Sequence, residues 1–310
     1  MVKHMHTWGL SVFRGGFVSV KEFKTIDEQI EILKSRKLTI TDEVTAKTFL
    51  RRNNYYRVSG YSLTLRDHDE FFEGASFQNI IDIYDFDAAL RHILLESIEK
   101  IEIAIKSIFA YKFSEKYGAL GYLKSSNFTN CSEYLRIINK ANEQKEKRLS
   151  HEAFLKHFME DCDGDIPFWA YVDLLTIADI SMLYQISHHD IQDTVAGMMR
   201  ILPSNRVEIL GKYMHGMTIL RNLCAHGSRL YNRLFITKPS LNSKEKKLLR
   251  TDENGIVDNA HLFGYILNMK RLLSSDDFNE MKDRIVELTE KIPFVSMRYY
   301  GFPDNWKDVI

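Results

Sequence analysis

The sequence predicts an all-α fold. Apolar residues recur at three- and four-residue steps over long stretches, the mark of amphipathic helices. Only five prolines interrupt 310 residues, which suits long helices because proline lacks the N–H and clashes with the preceding turn. No series of alternating segments argues for a sheet, and no internal repeat argues for a solenoid. Hydrophobic residues make up 45% and charged residues 27%, so there is ample material for a core. The length fits one large domain or two ordinary ones.

Residues 1–23 form an N-terminal extension of poor periodicity. "TIDEQIEILKSRKL" then sets Thr25 three positions before Glu28, a capping box ahead of Ile26, Ile30 and Leu33. A second helix is expected over 41–54, with a Thr start and acidic residues near the positive end of its dipole. The clearest element is "FDAALRHILLESIEKIEIAIKSIFAYKF", whose stripe runs from Phe86 through Leu90, Leu94, Ile98, Ile101 and Ile105 to Phe109. It predicts a helix approaching thirty residues, with Glu96–Lys100 and Glu102–Lys106 paired on its wet face and Gly118 and Gly121 at its end.

Residues 124–150 are polar and suggest a helix edge or a mobile connection. "PFWAYVDLLTIADISMLYQI" predicts a buried helix starting after Pro167, and two more follow Ser187 and Pro203. Pro239 breaks the chain, Asn254–Gly255 marks a turn, and helices over about 259–273 and 276–291 complete a C-terminal region, 237–310, packed on the core.

Charge is balanced overall, 42 basic against 42 acidic residues. That excludes a protein coated in positive charge but not a local basic site. Residues 67–87 hold seven acids and no Lys or Arg, whereas 221–250 hold eight Lys or Arg against the single Glu245. Three cysteines with no CxxC spacing indicate a reduced protein without a disulfide framework or zinc site. The N-terminus lacks the apolar run of a signal peptide, and the best membrane candidate is interrupted by Asp173 and Asp179. The expected location is the cytoplasm, with no membrane partner.

Several constellations lack the spacing for chemistry. His151 and His157 in "HEAFLKH" lie six apart, about 120° around a helix, and cannot share a metal as i,i+4 histidines do. "DCDGD" at 161–165 lacks a calcium-loop register. His188–His189–Asp190 suits a helix cap. Phosphate-loop, dinucleotide and hydrolase-elbow motifs are missing. "RRNNYYRVSGYSL" (51–63) interleaves basic and aromatic residues; packing plus surface charge accounts for it better than base stacking over a phosphate track.

One stretch demands more. "RNLCAHGSRLYNR" (221–233) carries three arginines, two asparagines and a histidine behind the buried stripe of Val207, Leu210, Met214 and Met217. That stripe brings Arg221 to the edge of the inner face, where a permanently charged guanidinium needs an anion or an acceptor. Continued as a helix, Asn222, His226, Arg229 and Arg233 fall within about 60° of one another; Gly227 and Ser228 are the positions at which that helix would instead end. Imidazole exchanges protons near neutrality, and guanidinium groups bind phosphate and offset developing charge. A helix-end cap with Arg–Glu pairing is the plainer alternative.

The stretch resembles the signature of the Abi-like family, abortive-infection proteins of AbiD/AbiF type, and fits the R-x(4–6)-H motif of HEPN (higher eukaryote and prokaryote nucleotide-binding) domains. "AKTFLRRNNYYRVSGYSL", "FDAALRHILLESIEKIEIAIKS", "PFWAYVDLLTIADISMLY" and, more weakly, "GFPDNW" match in the same order. The resemblance covers residues 24–236. It implies a HEPN-like helical bundle with additional N- and C-terminal helices, pairing as a homodimer. Arg221 and His226 match the motif, Asn222 its following polar residue, and Arg229, Tyr231, Asn232 and Arg233 an extension expected to touch RNA.

The activity implied is metal-independent RNA cleavage by 2′-hydroxyl attack, with no cofactor, by a toxin or phage-defence effector. Arg221 and His226 lie about 140° apart on a helix, so a composite site between paired subunits suits them better than one face. An antitoxin protein or small RNA is the expected restraint. The alternatives are a non-catalytic RNA- or nucleotide-binding HEPN module and a helical protein-interaction module.

Overall fold

The computed structural model describes residues 22–251 and 255–310; most of the N-terminal extension, and Asn254 of the expected turn, lie outside them. The first helix, α1 (Ile26–Ser35), starts at the expected box: Thr25 accepts from the Glu28 amide, and Glu28 reaches back to the Thr25 N–H at 2.7 Å. In α2 (Glu43–Asn53) the cap is Asp42 rather than Thr41. Asn54, at φ +47°, turns the chain directly into α3 (Tyr55–Tyr61). A two-residue hairpin, β1 (Arg66–Asp67) and β2 (Glu70–Phe71), follows, the only strand pairing longer than an isolated bridge among the described residues.

The spine of the molecule is α4 (Phe77–Tyr117), 41 residues and about 60 Å long. It begins nine residues earlier than its central stripe predicts. Ser76 caps it in a box with Asn79, and Phe77, Ile80 and Ile83 extend the buried face. Asp82 is half-buried and Asp85 exposed in this first part, so part of the acidic segment is helix. Gly118, at φ +81°, ends it.

The polar 124–150 stretch is not a loose connection. It forms α5 (Cys131–Arg148), which buries Tyr134, Ile137, Ile138 and Ala141; a narrow apolar stripe suffices where the other face is wholly wet. Next comes α6 (Ala153–Asp161). The single helix expected after Pro167 is broken into α7 (Phe168–Tyr171), a 3₁₀ turn and α8 (Ile177–Gln185). Thr176 forms a new capping box with Asp179 there, and Lys140 of α5 holds Asp179 at 2.8 Å.

Helix α9 (His189–Met198) leads to α10 (Arg206–Ala225), then to short α11 (Ser243–Lys246), α12 (Phe263–Leu272), α13 (Ser275–Lys291) and α14 (Trp306–Val309). Both α10 and α13 pack on α4, while α8, α9 and α12 flank α10. Phe86, Leu90, Leu94, Ile98, Ile101, Ile105, Phe109 and Phe113 of α4 are wholly buried. The fold is an all-α bundle wound around one long helix, and the end of α10 is held against the middle of that helix.

Candidate functional site

Helix α10 stops at His226. Gly227 adopts φ +62°, a left-handed conformation open to glycine at little cost. Its N–H donates to the Cys224 carbonyl, and the Ser228 N–H donates to Leu223 at 2.8 Å. This is the Schellman pattern that closes a helix on glycine. The ridge expected to carry Asn222, His226, Arg229 and Arg233 together therefore does not form, because the helix ends before its last two members.

The stretch divides at this turn. Asn222 and His226 are exposed and Arg221 is half-buried. Among the described residues, none of these three side chains makes a hydrogen bond or ion pair within the chain. Arg221 and Ala225 open into a groove of about 920 Å³ along α4. Its apolar lining includes Ile103, Tyr111 and Trp169, each more than half exposed. Glu99, Glu102, Glu115 and Asp173 face it against Lys106 and Arg221, so the groove is acidic.

Residues 227–233 turn inward. The Arg229 guanidinium donates to the carbonyls of Tyr231 and, at 3.3 Å, Asn232; burial pulls its pKa below the usual value. Tyr231 is 2% exposed and its hydroxyl meets Thr64 at 2.7 Å. Arg233 donates to the Arg229 carbonyl at 3.2 Å, and the Asn232 N–H donates to Tyr299 at 2.9 Å. Arg229 and Tyr231 thus serve the loop's own fold, while Asn232 and Arg233 stay half-exposed.

What holds the loop is a residue that sequence reasoning missed. Asp87 of α4 is wholly buried and accepts from the backbone N–H groups of Leu230 at 3.2 Å and Tyr231 at 2.8 Å. It also accepts from the hydroxyls of Tyr61 at 2.9 Å and Tyr300 at 3.0 Å, and from the Arg91 guanidinium. Burial works against the charge of Arg91, and the Asp87 carboxylate together with Tyr61 and Tyr84 outweighs it, leaving the guanidinium above its usual pKa. Burial, reinforced by the same carboxylate, raises Tyr61 and Tyr300, so both remain donors. A buried ion pair is tolerable only when its remaining lone pairs are satisfied, and this one is satisfied from four parts of the chain. An Asp and an Arg four apart, inside the stripe of Phe86, Leu90 and Leu94, was the available signal.

Arg57 of α3 completes the frame by donating to the Gly227 carbonyl. Gly60 lies close beside it: a Cβ there would sit 3.3 Å from Arg229 Nε, tight enough that the guanidinium would have to shift. Cys224, two residues before the cap, is buried, and burial pushes its thiol up to about 12, so it stays protonated at neutral pH.

The fold is an all-α bundle, and among the described residues the Arg221–Asn222–His226 trio at the end of α10 has no side-chain partner. The chain belongs to the Abi-like protein family, whose model matches residues 48–232, the span from α2 through the inward loop. That membership ties it to abortive infection. No curated protein and no solved structure matches it significantly. Among the described residues, no helix is long and apolar enough to cross a membrane.

Proposed function

We propose that the chain is a metal-independent ribonuclease of HEPN type, acting as a toxin or abortive-infection effector. The observation that carries this reading is the trio at the end of α10. Among the described residues, the side chains of Arg221, Asn222 and His226 have no partner within the chain, whereas Arg229 and Tyr231 are engaged by the loop's own fold.

In the proposed reaction the ribose 2′-oxygen bonds to its own 3′-phosphorus as the bond to the 5′-oxygen breaks. One imidazole takes the 2′-hydroxyl proton, and a protonated imidazole gives one to the leaving oxygen. The products are a 2′,3′-cyclic phosphate and a 5′-hydroxyl. Arg221 offsets charge developing on the phosphoryl oxygens. RNA supplies the nucleophile, so no metal or cofactor enters the scheme. Asn222, Arg233 and Asn232 remain candidates for contacts along the strand.

Each chain offers one motif histidine, so the scheme needs a second copy. A two-fold homodimer with the ends of α10 facing would bring His226 of both subunits together. Ile103, Tyr111 and Trp169 support it as apolar surface such a pairing would cover. A cytoplasmic ribonuclease also needs restraint, by an antitoxin protein, a small RNA or an activation step.

The test is cleavage of single-stranded RNA in EDTA. Cyclic-phosphate ends with the wild-type protein, and none with His226→Ala, are expected. Binding without product would return the non-catalytic module, and a particle that stays monomeric in light scattering would remove the two-histidine scheme.

A further inference from the structure

The lining of the Arg221 groove leaves open where a polyanion would lie. Four carboxylates face two cations there, and Lys106 is already paired with Glu102 at 2.9 Å. A phosphodiester chain gains little along such a wall. Beyond the His226 turn the chemistry reverses. Arg57 donates to the carbonyl of Gly227, the residue after His226, which sets α3 directly against the turn.

One position before Arg57, Tyr56 is 87% exposed. Val58 and Tyr61 take the inner side of α3, and Tyr56, about 200° from Val58 around the axis, looks outward. At the end of α2, Ala46 and Leu50 face the core while Arg51 and Arg52 are exposed. Among the described residues Arg52 makes no ion pair or hydrogen bond, and Arg51 shares Asp27 with Lys47, which holds that carboxylate at 2.8 Å. Complementing the α2 dipole would account for the two arginines. It does not account for a bare tyrosine beside them.

We propose that the α2–α3 corner is a second contact for single-stranded RNA. The strand leaves His226, crosses the Gly227 turn and stacks a base on Tyr56, while Arg51 and Arg52 meet the flanking phosphates. The strand is single because a base must be unpaired to stack on a side chain. Contact through an aromatic face and the backbone tolerates any sequence. This site rests on the RNA reading of His226 and deepens it.

The experiment measures fluorescence anisotropy of a short labelled single-stranded RNA on the full chain carrying His226→Ala, with Tyr56→Ala, Tyr56→Phe or Arg52→Ala added. Tyr56→Ala should weaken binding roughly five- to hundredfold, and Tyr56→Phe should restore it, which a structural role for the hydroxyl would not allow. Arg52→Ala should flatten the slope of log affinity against log salt by about one. Unchanged affinity with Tyr56→Ala, or no RNA binding at all, overturns the site. RNA bound through Tyr56 but never cut by the wild-type protein would leave this site standing and sink the ribonuclease reading; cutting and binding that ignore Tyr56 would do the reverse.

Discussion

Residues 221–226 and 227–233 are adjacent, similarly polar, and use their polarity in opposite ways. In the first set Arg221, Asn222 and His226, at the end of α10, are open to solvent or to the groove. The second folds onto Asp87, Arg57 and Thr64, and its hydrogen bonds are made inside the protein. Polarity alone does not distinguish a site from its support. The partner does: among the described residues Arg221, Asn222 and His226 have none, while residues 227–233 have several.

The comparison can be broken most forcefully at His226. His226→Ala is expected to lower RNA cleavage by about 10²–10⁴ with an unchanged melting temperature; a melting shift as large as a core mutation would return His226 to the supporting half. Asp87→Ala should act the other way, costing about 3–5 kcal/mol of stability because Arg91 is left buried without its counter-charge. An unaltered urea midpoint would show that the loop is held by something else. Gly227→Ala falls between the halves, forcing a Cβ into a left-handed turn at about 1–2 kcal/mol, and calorimetry on the variant reads it. The smallest change is Tyr231→Phe, which removes the hydroxyl bonded to Thr64 and should cost about 1 kcal/mol; a stabilised variant in the same melt would mean that hydroxyl is poorly satisfied.

Local chemistry made much of the fold legible. Thr25 with Glu28, the stripe from Phe86 to Phe109, and Gly118 at its end are signals contained within a few turns, and each stands where the sequence places it. The misreadings share a cause. Helix α4 starts early because Phe77, Ile80 and Ile83 are buried although Asp82 lies among them, and α5 forms on four buried residues in a polar run. In both, tertiary packing outweighs average composition. The break at Thr176 was written in the sequence as a capping box and passed over in favour of apolar continuity.

For the site, the position of Arg221 at the edge of the inner face and the glycine that ends α10 were legible. The inward course of 227–233 was not. It depends on Asp87, some 140 positions earlier, and on Tyr300, some 70 later, and no local spacing encodes that meeting. The same holds for α3: the interleaved arginines and tyrosines of 51–63 gain significance only once Arg57 is seen on Gly227.

Because the carboxylate of residue 87 gathers donors from α3, α4, the loop after α10 and Tyr300, it imposes an order on biosynthesis. Tyr61 and the helix bearing that carboxylate emerge well before the loop, and the last donor arrives only when residue 300 has left the ribosome. A nascent chain halted before that point would carry its Arg–His pair on an unfinished scaffold.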